Sequence, residues 1–148
     1  MQQNYGGKAG EPFTLDDLMA FESLSRDRSA LRKGFAMMLH QSERDSQTGY
    51  ATMVLETSRI LLADMGLGSD AVKCVILKNV WDGGRMVAED FDREFGATAR
   101  MLIEGIGKLE RLDTNKYFTN KENFIGLIVT LSDDIRVTLI RLAMRLYD

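Results

Sequence analysis

The sequence predicts an all-α fold, a compact bundle of some seven or eight helices. Three observations carry this expectation. Apolar residues recur at three- and four-residue spacing in one segment after another. No segment sustains the apolar–polar alternation of a strand between turn dipeptides. Pro12 is the only proline, so long helices run uninterrupted.

Residues 1–12, rich in Gly, Gln and Asn, read as a flexible arm, and residues 13–148 as one folded domain. Thr14 followed by Asp16 and Asp17 marks a helix start, a hydroxyl cap with acids over exposed N–H groups. That helix is expected to reach about Ser25. A second begins near Ser29, with Leu31, Phe35, Met38 and Leu39 on one face, and fades into a polar loop, Gln41–Gly49. A third spans Ala51 to Asp64 and ends at Gly66, which tolerates a left-handed cap. Ser69 starts the fourth, with Val72, Val75, Ile76 and Val80 at helical spacing, and Asp82-Gly83-Gly84 breaks it. Ala88–Phe95 is a short acidic helix closed by Gly96. Thr98 to Leu112 follows, aligned on Leu102, Ile106 and Leu109. The last stretch, Lys121 to Asp148, reads as two helices joined at Ser132-Asp133-Asp134, the second carrying a stripe of Ile135, Leu139, Leu142 and Leu146.

Composition excludes several classes. Apolar residues make up 45% and charged residues 28%, ordinary for a globular domain, and a net charge of −3 gives no basic footprint for nucleic acid. No run approaches the ~20 apolar residues of a membrane span, and the N-terminus lacks a signal-peptide pattern. A lone cysteine forms no internal disulfide and fits a reducing, cytoplasmic setting.

Chemistry-bearing motifs are sparse. His40 is the only histidine, so an imidazole-rich metal site is impossible; it reads as a helix-end residue bonding a carbonyl. Cys74 sits among Val72, Val75 and Ile76 and reads as a packing residue, because no second histidine serves as its base. Glu89, Asp90, Asp92 and Glu94 read as a solvated face favoured by the helix dipole. Asp133 and Asp134 read as N-terminal acids behind a Ser132 cap. Gly83-Gly84, Gly105 and Gly107 form no phosphate loop. Nine methionines read as adaptable core filler.

Four segments together suggest a family. They are FAMMLHQSERDSQTGY (Phe35–Tyr50), LLADMGLGSDAV (Leu61–Val72), FGATARMLIEGIGKLERL (Phe95–Leu112) and the terminal NKENFIGLIVTLSDDIRVTLIRLAMRL. From Phe35 to Asp148, about three-quarters of the chain, the sequence resembles the N-terminal hydrolase domain of the RelA/SpoT family. These are the long enzymes that make and degrade the alarmone (p)ppGpp. The resemblance implies an all-α HD-type domain whose hydrolase site holds one Mn²⁺, which activates water for attack at the 3′-pyrophosphate.

Carried over by position, the family's metal ligands fall on Val54, Lys78, Asn79 and Met144. Valine and methionine offer no hard donor, Lys78 brings a positive charge, and Asn79 keeps only a carbonyl. The acidic pair that assists catalysis falls on Asp82 and Gly83, leaving one carboxylate. The basic guanine-holding loop falls near Arg44, Asp45 and Ser46, and the family's final His and Asn fall on Tyr147 and Asp148. Gly105, Lys108, Arg136 and Arg145 retain family identities.

The resemblance therefore implies a degenerate hydrolase domain, with no intact catalytic set, no metal and no bound cofactor. Lys78 is expected to fill the metal position and pair with Asp82 one turn on. The expected role is a structural or regulatory module for a (p)ppGpp synthetase domain (GTP pyrophosphokinase) following in a longer chain, of which this is a fragment. Two alternatives accompany it. One is a metal-independent guanine-nucleotide sensor using Arg44, Lys78 and Lys108. The other is a hydrolase with a relocated Mn²⁺ site built from Asp82, Glu89 or Asp133.

Overall fold

The computed structural model describes residues 11–113 and 134–147, and among these every regular element is helical. In chain order they are α1 (Leu15–Met19), a 3₁₀ turn (Glu22–Leu24), α2 (Arg28–Arg44), α3 (Tyr50–Arg59) running into a π-turn (Ile60–Asp64), α4 (Ser69–Asp82), α5 (Ala88–Phe95), α6 (Ala97–Asp113) and α7 (Ile135–Tyr147). The all-α expectation holds. None of the described helices is long and apolar enough to cross a membrane. Of the expected arm, only Glu11 and Pro12 are described, both exposed. The expected helix between Lys121 and Leu131 lies outside the described residues.

α4 is the central helix, packed against α2, α3 and α6. Every side chain from Ala71 to Val80 is buried. A helix buried all round normally reads as apolar all round. Here Lys73, Lys78 and Asn79 interrupt the run, and each must find polar partners, because an unpaired buried polar group is destabilising.

Several starts and stops follow the sequence. Thr14 and Asp17 form the reciprocal cap: the Asp17 N–H donates to Thr14 Oγ1 at 3.1 Å, and the Thr14 N–H to Asp17 Oδ2 at 2.9 Å. Gly66 and Gly96 close their helices at φ 68° and 96°, a region open to glycine.

Four expectations are corrected. The first helix stops at Met19 instead of Ser25, because Phe21 turns extended and packs edge-on against Phe13 in the core. The second helix runs on to Arg44, so the loop is confined to residues 45–49. There the Asp45 N–H donates to the Gln41 carbonyl, while His40 is exposed one turn earlier. The third helix does not end as a plain α-helix but widens into the π-turn over Ile60–Asp64.

The fourth correction concerns α7. Its buried face is Val137, Ile140 and Ala143, whereas Ile135, Leu142 and Leu146 of the expected stripe are 59%, 49% and 62% exposed. Both faces of this helix are apolar, so periodicity did not choose between them. Gly105 on α6 did: a Cβ added there would lie 2.8 Å from Val137 Cγ2, so α7 approaches α6 over the missing side chain. Small and β-branched residues suit that close crossing.

The remaining polar residues tie elements together. Lys73 Nζ donates to the Phe95 carbonyl at the end of α5 at 3.1 Å and lies 3.1 Å from Asp27 Oδ1. Asp27 also accepts from Ser69 Oγ at 2.7 Å, joining the starts of α2 and α4. The Ser69 hydroxyl, read as an opening signal for its own helix, serves this cross-link. The acidic run of α5 is not simply solvated. Asp90, Asp92 and Glu94 pair with Arg93, Arg100 and Lys33, while Phe91 and Phe95 turn inward. At the start of α7, Asp134 accepts from the Arg136 N–H at 2.9 Å and so does the capping itself; Ser132 and Asp133 lie outside the described residues.

Candidate functional site

A polar cleft of about 500 Å³ opens among the described residues. The end of α2 contributes Gln41 and Asp45, α3 Tyr50 and Met53, α4 Lys78, Asn79 and Asp82, α6 Glu110, and α7 Met144. Spacing explains the α4 contribution. Lys78 and Asp82 are one turn apart on one face, and Asn79 is the next residue round.

Lys78 sits at the centre. It is 4% exposed although it bears a charge. Its ammonium donates to Asp82 Oδ2 on the same helix, and Glu110 Oε1 of α6 lies 2.8 Å away. Burial on its own would lower the Lys78 pKa. The hydrogen bonds and charges of Asp82 and Glu110 outweigh it and hold the ammonium above its ordinary value. The side chain is therefore a fixed positive charge within the cleft wall.

Asn79 is 5% exposed. Its Nδ2 donates to the Met38 carbonyl at 3.2 Å and to Gln47 Oε1 at 3.3 Å, which sets the orientation of the amide. Its Oδ1 is buried without a hydrogen-bond partner. Burial pushes the Tyr50 hydroxyl pKa up, and the charges of Asp82 and Glu110 add to the shift, so the phenol stays protonated. Gln41 donates to Asp45 at 3.0 Å and lies over Gly83, where an added Cβ would meet its amide at 2.8 Å.

The structure brings Lys78, Asn79, Asp82 and Met144 together at this cleft. Val54 does not line it; its side chain is wholly buried in the core. Arg44 does not line the cleft but belongs to an adjoining depression with Met37 and His40, which shares Gln41 and Arg85 with it, and Lys108 is exposed on α6. Three contributors escaped the sequence reading. Glu110 is 32 positions from Lys78, a separation that no local spacing rule detects. Arg85 reaches the rim of the cleft from beyond the glycine turn, and Tyr50 enters from the start of α3. Among the described residues, no three His, Cys, Asp or Glu side chains converge as a metal-holding group. Cys74 is fully buried, and burial drives its thiol pKa up, with Lys78 opposing.

The family model described as HD domain matches residues 33–148. The GTP pyrophosphokinase rsh of Brucella melitensis is 33% identical over 116 residues, covering 77% of this chain and 15% of the relative. A guanosine-3′,5′-bis(diphosphate) 3′-pyrophosphohydrolase of Vibrio cholerae is 31% identical over 120 residues, covering 78% of this chain and 17% of the relative. The bifunctional (p)ppGpp synthase/hydrolase SpoT of Escherichia coli is 33% identical over 89 residues, covering 60% of this chain and 13% of the relative. The chain thus spans about one-seventh of the length of these proteins. No solved structure gives a significant match.

Proposed function

Because the chain belongs to the HD domain family, and within it to the RelA/SpoT type, we propose that it is a catalytically inactive pseudo-hydrolase module that regulates a neighbouring (p)ppGpp synthetase domain. The observation that carries the reading is the Lys78 ammonium buried between Asp82 and Glu110. Lysine offers three donors and no acceptor, so in its charged form it ligates nothing. A divalent cation beside it would meet a like charge.

The rest of the donor set fits Mn²⁺ no better. Val54 and Met144 carry no hard oxygen, and Asn79 offers one neutral carbonyl. Asp82 and Glu110 already share the tethered ammonium as their counter-ion. No hydrolytic step is therefore assigned to this cleft. What these side chains do instead is brace the domain: Lys78 joins α4 to α6, and Asn79 joins α4 to α2 at Met38 and to Gln47 of the following loop.

The regulatory part of the reading rests on the relatives. Two are named for a pyrophosphokinase or synthase activity, and each is about six to eight times longer than the matched segment. A braced, non-catalytic helical domain suits a role in holding or biasing an adjacent catalytic domain. The reading includes a cytoplasmic setting, consistent with a single buried thiol. The nucleotide-sensing alternative has less support, because Arg44 and Lys108 stand outside the cleft and Lys78 is committed to carboxylates.

The test has two arms. Purified chain is incubated with ppGpp and Mn²⁺ to measure pyrophosphate release. The synthetase portion of the parent protein is then assayed with and without this domain. The reading expects no release and a changed synthesis rate. Metal-dependent release would sink the first half, and an unchanged rate without association the second.

A further inference from the structure

We draw no further inference here: the strongest candidate, the exposed apolar face of α7 formed by Ile135, Leu142 and Leu146, carries nothing because nothing among the described residues shows what covers it.

Discussion

The Lys78 ammonium of α4 lies 2.8 Å from Glu110 Oε1 of α6, inside a helical domain whose relatives include pyrophosphohydrolases. With Asp82 on its other side, the lysine forms a charged joint between the central helix and its neighbour. Removing it leaves two carboxylates facing each other and a gap in the wall. Glu110 and Asp82 are 39% and 54% exposed, so water screens part of the effect. Lys78→Ala is expected to lower stability by about 2 kcal/mol and Glu110→Gln by about 1 kcal/mol in urea unfolding. A double-mutant cycle isolates their coupling. Because the Lys78 pKa is raised, its contribution is full below its ordinary value of 10.5 and is lost as pH climbs through the higher folded value. The difference between the native chain and Lys78→Ala should therefore persist at pH 9 and shrink only in stronger alkali.

Gly105 governs how closely α7 approaches. An added Cβ would press on Val137 Cγ2 at 2.8 Å and Cγ1 at 3.2 Å, and valine has little rotamer freedom on a helix. Gly105→Ala gains helix propensity but must push α7 outward. Overpacking of this kind costs about 1–3 kcal/mol, against roughly 1 kcal/mol gained in propensity. Net destabilisation is expected, with partial recovery in the Gly105→Ala/Val137→Ala double variant. Thermal unfolding of the three variants decides it. A more stable Gly105→Ala would show that the crossing is looser than described.

Asp27 gives the domain an acid-sensitive joint. The Ser69 hydroxyl donates to it, Lys73 adds charge, and together they outweigh burial and hold its carboxyl below the ordinary 3.8. A depressed carboxylate stabilises the fold above the unfolded value, and the benefit fades as pH falls through the folded one. Asp27→Asn should accordingly be less stable than the native chain at pH 7, with the gap closing below about pH 4. A gap that stays constant down to pH 2 would contradict the assignment.

Cys74 is sealed in the core with a raised thiol pKa, burial being the main cause. Native protein should resist a thiol reagent at neutral pH, and modification should track unfolding in a urea series. Fast labelling of folded protein would show that the α4 surface opens locally.

The elements were legible where glycine punctuates the chain. Gly83 and Gly96 directly follow the last residues of α4 and α5, and Gly66 follows the π-turn by two positions, because left-handed caps and helix breaks are local chemistry. The buried face of α7 was not legible. Its apolar residues wrap the helix, and the choice between faces depends on Gly105, some thirty positions away. The burial of Lys73, Lys78 and Asn79 was only partly visible. A run as apolar as Ala71–Val80 marks a central helix, yet sequence alone does not say that its polar residues stay inside. Lys78–Asp82 follows from i, i+4 spacing, whereas Glu110 is joined to Lys78 only by tertiary packing. Arg44 was grouped with the site by position along the chain. The extension of α2 to Arg44 carries it to a different depression.

The most direct measurement is anomalous diffraction from crystals of this chain grown with manganese. The account predicts the Lys78 ammonium between Asp82 and Glu110, with no anomalous peak in the cleft. A well-occupied manganese ion coordinated by those two carboxylates, with Lys78 swung out to solvent, would contradict it.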